Sequence, residues 1–293
     1  MKPRPVRAIH AGMPATDGAG VELLRVIGQP ALMQLDPFLL LDAFRSDDPQ
    51  DYIAGFPPHP HRGFETVTYL LQGRMRHRDS AGHEGVIEPG GVQWMTAGRG
   101  IVHSEMPEQQ DGLLQGFQLW VNLPAAHKLD PPRYQEFTAD EIPVETREGS
   151  RIRVIAGQTR QGTAGPVQQP LTDPLYLDVS LQAGHRFEER VPRGHNAFLF
   201  VIEGRLRLDG PDGEEYDIAA DSLAQLDDGD CVAATTGDRP ARFLLVAGRP
   251  LGEPVARGGP FVMNHEEEIR QAFDDYRSGR MGRLPATGSA QRT

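Results

Sequence analysis

Two short histidine motifs are the parts of this sequence best suited to chemistry. His59 and His61 flank a proline, and His103 and Glu105 flank a serine. On an extended strand alternate side chains share one face, so each motif presents its two polar groups together, and Glu65 can point the same way. Three imidazoles with one or two carboxylates form a ligand set for a divalent transition metal. The spacing alone does not decide between Glu65 and Glu105 as the carboxylate ligand.

The alternative interpretation of such motifs is structural. A single pair of histidines on a strand is often a surface pair or a hydrogen-bonded feature of the core. The second motif, which follows a stretch of glycine turns, favours the metal site over that alternative. The other histidines that lack such partners are expected to be ordinary surface residues: His77, His83, His127, His185 and His265.

Short strands joined by turns must position these motifs. Glycine (33) and proline (25) together make up about a fifth of the 293 residues, which favours many short strands over long helices. A pattern of strand, glycine turn and strand at residues 69–76 returns at residues 200–207, 131 positions later. Internal duplication of a β unit predicts two stacked β-sandwiches or barrels in one chain.

The sequence therefore predicts an all-β chain of two domains. The N-terminal domain spans residues 1–137 and carries the metal site, and a polar linker follows at residues 138–150. The C-terminal domain spans residues 151–293 and ends in an α-helix.

That helix is predicted from a capping pattern and an apolar stripe. Asn264 stands at the N-cap with Glu267 as its capping-box partner. Ile269, Phe273 and Tyr276 then follow at helical spacing. This stripe is expected to dock on a sheet.

The second half offers no equivalent of the metal site. Shifting the first motif and Glu65 by 131 positions leads to Arg190, Pro192 and Asn196, and no histidine replaces His103. We therefore expect one metal site, in the N-terminal half only.

Composition excludes several classes of function. The formal net charge is −11, which disfavours direct nucleic-acid binding. No apolar run is long enough to span a bilayer, and the N-terminus lacks the apolar stretch of an export signal. The only cysteine, Cys231, rules out an intrachain disulfide and is consistent with a reducing compartment. A cytoplasmic monomer without membrane contact is expected.

Several segments resemble one known family. The longest are residues 56–70 (FPPHPHRGFETVTYL) and 93–107 (QWMTAGRGIVHSEMP), with shorter ones at residues 118–123, 175–178 and 259–264. All of them resemble the pirin family of bicupins, over nearly the whole chain.

The resemblance implies a fold and a ligand set. Pirins have two cupin domains, which are jelly-roll β-barrels, in tandem, with iron in the N-terminal domain only. At the matching positions the ligands are His59, His61, His103 and Glu105, and Fe(II) is the expected metal. Glu65 matches the glutamate of the general cupin motif, which is not the usual ligand in pirins, so we place it behind the ligands.

The resemblance also implies an activity. Several pirins act as quercetin 2,3-dioxygenases, which open the central ring of a flavonol with O2 and release carbon monoxide. Glu105 is then expected to move between metal ligand and base for the flavonol hydroxyl. Phe56, Trp94 and Met95 are candidates to line an apolar slot for the flat substrate, although they fit a buried core equally well.

The same resemblance also allows a second, non-enzymatic function. Animal pirins are described as transcription cofactors whose iron state alters a contact with a protein. By resemblance this chain could be an iron-dependent redox sensor that regulates a partner protein. A cavity large enough for a three-ring flavonol and open to the metal would favour the enzyme.

Overall fold

The chain folds into two β-barrels that repeat the same arrangement of strands. The computed structural model describes residues 2–210 and 213–282. Each barrel combines a seven-stranded sheet with a four-stranded sheet, all antiparallel. In the described part of the chain, no helix has the length and apolar character needed to cross a membrane.

The first barrel contains both histidine motifs. Its seven-stranded sheet has the order β12-β9-β6-β11-β4-β3-β2. These strands are β2 (Met13–Asp17), β3 (Val21–Ile27), β4 (Phe38–Ser46), β6 (Phe64–Gln72), β9 (Val92–Thr96), β11 (Leu114–Asn122) and β12 (Arg133–Phe137). The four-stranded sheet, in the order β5-β10-β7-β8, consists of β5 (Phe56–His61), β7 (Met75–Asp79), β8 (Glu84–Ile87) and β10 (Ile101–Pro107). Two short 3-10 helices, Pro49–Asp51 and Ala125–His127, lie between strands.

The second barrel repeats this order of strands. Its seven-stranded sheet, β1-β20-β17-β22-β15-β14-β13, consists of β1 (Val6–Ala11), β13 (Val144–Arg147), β14 (Ser150–Ala156), β15 (Leu175–Leu181), β17 (Asn196–Glu203), β20 (Ser222–Leu226) and β22 (Ala241–Gly248). Its four-stranded sheet, β16-β21-β18-β19, consists of β16 (Arg186–Arg190), β18 (Arg205–Asp209), β19 (Glu215–Ala219) and β21 (Cys231–Thr235). A shift of 131 positions carries β6 onto β17, so the predicted duplication of an all-β unit is confirmed.

The two seven-stranded sheets pack face to face and form the core between the barrels. Val67 and Tyr69 of β6 meet Phe198 and Phe200 of β17 in this core. Because β6 has the inside of its own barrel on one face and the second barrel on the other, eight of its nine residues are buried. By contrast, β18 alternates buried and exposed residues because one of its faces meets water.

The two ends of the chain cross between the barrels, which the predicted domain boundaries did not foresee. β1 pairs with β20 of the second barrel. The hairpin of β23 (Ala256–Gly258) and β24 (Phe261–Met263) packs against the first barrel, where Val262 contacts Phe64. The segment interpreted as a linker, 138–150, contains β13, which extends the second sheet by pairing with β14.

The C-terminal helix forms as predicted but begins one residue later. α1 (Glu266–Arg277) has His265, not Asn264, at its N-cap, and Glu268 completes the capping box. Ile269 is buried in a cluster with β23 and β24, and Phe273 packs edge-on against Phe261. The helix therefore docks on the hairpin through Ile269 and Phe273 of the predicted stripe, whereas Tyr276 is exposed. Arg62 of the first barrel pairs with Asp275 at 2.8 Å. Residues 283–293 lie outside the described part of the chain.

Candidate metal centre

Two neighbouring strands bring the three motif histidines together. In the antiparallel pair of β5 and β10, His103 lies opposite His59 and Ile101 lies opposite His61. One ring nitrogen from each of His59, His61 and His103 lies within 4.8 Å of the others. The Nε2 atoms of His59 and His61 are 3.1 Å apart. Among the described residues this is the one group of side chains with the geometry of a metal site.

The hydrogen bonds of two rings leave their Nε2 atoms free for a metal. Nδ1 of His59 lies 2.7 Å from the carbonyl oxygen of Pro57, and Nδ1 of His61 lies 3.2 Å from that of Pro260. A carbonyl oxygen only accepts, so in each neutral ring Nδ1 carries the hydrogen and Nε2 carries the lone pair. Nε2 of His103 is buried and has no hydrogen-bond partner in the described structure. Three converging ring nitrogens, one of them buried without a hydrogen-bond partner, fit a metal ion.

Burial keeps the imidazoles of His61 and His103 neutral. His61 is 3% exposed and His103 is fully buried. Desolvation by burial, reinforced by the neighbouring His59, lowers the pKa of both rings well below the ordinary histidine value. A neutral imidazole is the form that binds a transition metal, so the rings are ready to coordinate.

Glu105 lies beside the histidine cluster and lines the same cavity as His59 and His61. Its Oε1 accepts a hydrogen bond from the Thr68 hydroxyl at 2.6 Å, and its Oε2 accepts one from Gln118 Nε2 at 3.0 Å. Glu105 is not part of the compact group formed by the three rings. Its assignment as the fourth ligand therefore stays a prediction.

Glu65 points away from the cluster, in contrast to the shared face expected from its spacing. β5 ends at His61, and Gly63 adopts a φ of 87° before β6 begins, so the alternation of side chains restarts there. Thr68 of β6 faces the cavity, whereas Glu65 is fully buried on the opposite face and accepts a hydrogen bond from Thr96 at 2.6 Å. Burial raises the pKa of the Glu65 carboxyl. Its place directly behind the ligands is wrong.

The cluster opens into a cavity of about 620 Å³ with largely apolar walls. Phe56 lines it as expected, but Trp94 lies in the core between the barrels and Met95 packs with Ala97 and Ile101. The apolar walls come instead from side chains that are distant in sequence: Leu23, Leu40, Phe44, Met75 and Trp120. Trp94 and Met95 lie on β9 of the seven-stranded sheet, which carries none of the motif histidines, so their closeness to the ligands in sequence does not place them at the cavity.

The C-terminal hairpin completes this cavity. Gly259 and Pro260 line it, and the Arg257 guanidinium carbon lies 4.8 Å from the ring centroid of Trp120. Trp120 is also in edge contact with His61, at 5.2 Å between ring centroids. The site thus combines side chains of the first barrel with a segment that follows the second.

His77 contradicts its assignment as a surface histidine. It is fully buried on β7, with its Nδ1 3.4 Å from Nδ1 of His103 and its Nε2 3.2 Å from Oδ2 of Asp79. β7 is the other neighbour of β10, where His77 pairs with Glu105. The alternation of His77 and Asp79 on a strand was the available signal, but only the register of β7 against β10 shows its meaning.

The second barrel has hydrophobic packing in place of a ligand set. The position equivalent to His103 is Ala234, which packs in the same buried cluster as Phe187 of β16 and Val232 of β21. Phe187 stacks edge-on against Phe243 at 5.3 Å between ring centroids. These apolar side chains occupy the inside of the second barrel.

Comparisons with known proteins agree with this architecture. A family model described as Pirin matches residues 20–121, and one described as Pirin C-terminal cupin domain matches residues 176–282. The chain belongs to the pirin family. Its fold is therefore confirmed as two cupin domains in tandem with a C-terminal helix.

Members of the pirin family resemble the chain over most of its length. A Pirin-like protein of Caulobacter vibrioides is 54% identical over 281 residues, which cover 96% of this chain and all of that one. Human Pirin is 44% identical over 269 residues, which cover 91% of this chain and 90% of that one. The solved structure of a quercetin 2,3-dioxygenase from Acinetobacter baumannii superposes with a TM-score of 0.87 at 33% identity, covering 97% of this chain and 100% of that one.

Proposed function

We propose that this pirin-family protein is a metal-dependent dioxygenase that opens the central ring of flavonols such as quercetin. Both atoms of O2 enter the product, and one ring carbon leaves as carbon monoxide. One observation carries the proposal: the histidine cluster adjoins an open, apolar cavity of about 620 Å³. Pockets for small molecules typically have volumes of about 300–1,000 Å³, and a protein that only senses its metal needs no such space.

The ligand set suits a divalent transition metal, and we propose Fe(II). His59, His61 and His103 would hold it through Nε2, with Glu105 as the fourth ligand. Three imidazoles and one carboxylate leave coordination positions open. When bound, the metal supplies Lewis-acid polarisation of the flavonol oxygens and redox chemistry with O2.

Glu105 is proposed to accept the proton of the flavonol 3-hydroxyl. Thr68 and Gln118 each donate a hydrogen bond to one of its two oxygens, which fixes the carboxylate at the edge of the cavity. A base held in this way can take a proton from a hydroxyl that lies within hydrogen-bond reach.

Apolar walls are proposed to orient the flat substrate and to exclude water. Phe44, Phe56 and Trp120 present aromatic surface to the cavity. Aromatic side chains favour offset or edge contacts with other rings, so they can hold a flavonol while its oxygens face the histidines.

The test is anaerobic reconstitution with Fe(II), followed by measurement of oxygen uptake and carbon monoxide release with quercetin. We expect both signals from the wild-type protein and neither from His61→Ala. Stoichiometric iron without turnover would contradict the dioxygenase and would favour the redox-sensing alternative. Glu105→Gln separates the two roles of that residue: lost metal indicates a ligand, and retained metal with slower turnover indicates a base.

A further inference from the structure

A buried pair of side chains lies behind His103, on the side away from the cavity. His77 and Asp79 are adjacent on one face of β7, and neither is more than 2% exposed. The two Nδ1 atoms of His103 and His77 are 3.4 Å apart, and His77 Nε2 lies 3.2 Å from Asp79 Oδ2. The three side chains form one hydrogen-bonded row that starts at a residue of the metal centre.

Only one placement of the ring hydrogens gives both hydrogen bonds of this row a donor and an acceptor while His103 binds a metal. Nε2 of His103 must carry a lone pair if it binds a metal, so the hydrogen of that neutral ring is on Nδ1. Nδ1 of His77 must then accept it, which leaves the hydrogen of His77 on Nε2. An ionised Asp79 carboxylate can only accept, and it receives that hydrogen. Each of the two hydrogen bonds that link His103, His77 and Asp79 therefore has one donor and one acceptor.

The turn between β7 and β8 holds the carboxylate in place. Oδ1 of Asp79 accepts the backbone N–H groups of Ala81 at 2.8 Å and His83 at 3.0 Å. Oδ2 lies 2.9 Å from Nδ1 of the half-exposed His83 ring. Asp79 is thus fixed by the main chain before it contacts His77.

His103 differs from the other two ligands in this respect. Backbone carbonyls face the Nδ1 atoms of His59 and His61, whereas His103 depends on a side chain. We propose that His77 and Asp79 are positioning residues that hold His103 in the tautomer and orientation required for metal binding. The inference rests on the proposed metal centre. Partners of this kind typically contribute about 10–100-fold to metal affinity when they orient a ligand.

The test is titration of the metal-free protein with Co(II), monitored by its ligand-field absorption. His77→Phe keeps a ring in place but removes the acceptor, and we expect about 10–100-fold weaker binding and an altered spectrum. His77→Asn offers an amide oxygen near the position of Nδ1, so we expect it to recover much of the affinity. The matched control is His195→Phe, a buried histidine of the second barrel, for which we expect wild-type affinity and spectrum.

A second measurement needs no variant. Nitrogen-15 NMR of the metal-free wild-type protein should show His103 with its hydrogen on Nδ1 and His77 with its hydrogen on Nε2. His103 with its hydrogen on Nε2 would overturn the inference even if His77→Phe does not fold. Wild-type affinity in a folded His77→Phe protein would also overturn it. Failure of the wild-type protein to bind Co(II) would instead overturn the metal centre itself.

Discussion

The main-chain oxygen of Pro260 lies 3.2 Å from Nδ1 of His61, although the two residues are 199 positions apart. A residue of the first barrel thus has its ring orientation set by the hairpin that follows the second barrel. The same hairpin packs on α1, which is tied back to the first barrel by the pair of Arg62 and Asp275. The geometry of the metal centre therefore depends on docking of the C-terminal segment.

We expect Asp275→Asn to loosen that docking. Arg62 and Asp275 are both largely buried, and the substitution leaves the guanidinium without its charged partner. The free energy of unfolding should fall by roughly 1–3 kcal/mol, and hydrogen exchange in α1 should become faster. Asp274→Asn is the control, since the one ion pair of Asp274 among the described residues is with Arg277 on the exposed face of the same helix. Equal effects of the two substitutions would contradict this prediction.

Removal of a ligand should abolish metal binding without unfolding the protein. His61→Ala and His103→Ala are each expected to lose stoichiometric metal, because two imidazoles no longer complete the set. The main hydrophobic clusters do not include these residues, so we expect Tm of the metal-free protein to fall by only about 5 °C. Metal analysis and circular dichroism test both expectations. Arg190→Ala, at the position equivalent to His59, should keep full metal content, and global unfolding of either histidine variant would refute the prediction.

Trp120 should contribute to flavonol affinity. It lines the cavity in contact with His61, so Trp120→Ala removes aromatic surface from the proposed substrate site. We expect about tenfold weaker binding of quercetin, measured anaerobically by calorimetry on metal-loaded protein. Trp94→Phe alters the core between the barrels and should leave this affinity unchanged. A Trp120→Ala protein that binds quercetin as tightly as Trp94→Phe would argue against this site.

Lys128 should make stability depend on pH in the alkaline range. Its buried ammonium donates hydrogen bonds to Gly63, Asn122 and Val262, and burial lowers its pKa to about 8. In the unfolded chain the pKa is about 10.4. Between these pH values the unfolded chain binds a proton that the folded protein does not, so the free energy of unfolding rises with pH.

Comparison with Lys128→Met isolates this effect. From pH 8 to pH 10.5 the wild-type protein should gain roughly 3 kcal/mol of stability relative to the variant. Urea denaturation at a series of pH values measures the difference. A difference that stays constant across this range would show that Lys128 does not titrate there.

The sequence predicts the part of the site that depends on local periodicity. His59 and His61 share a face because they alternate on β5, and the repeat at a distance of 131 residues predicts the second barrel. Glu65 shows where local periodicity ends, since the turn at Gly63 restarts the alternation between β5 and β6. No spacing rule along one strand extends through such a turn.

Other features depend on register and on long-range packing. His77 reaches His103 only through the pairing of β7 with β10, and Pro260 reaches His61 only through the return of the C-terminal hairpin. The position of Trp94 in the sequence fits the cavity and the core equally well, and the structure places it in the core between the barrels. These contacts form only when the sheets assemble, so no short segment of the sequence predicts them.

The crossed ends of the chain also bear on how the protein is made. The first barrel is synthesised before the second. However, β1 can pair with β20 only after β20 has been synthesised, and His61 can hydrogen-bond to the Pro260 carbonyl only after Pro260 has been synthesised. An N-terminal half emerging from the ribosome therefore holds all three histidines without the carbonyl that orients one of them. The metal centre reaches its final geometry only when almost the entire chain has been translated.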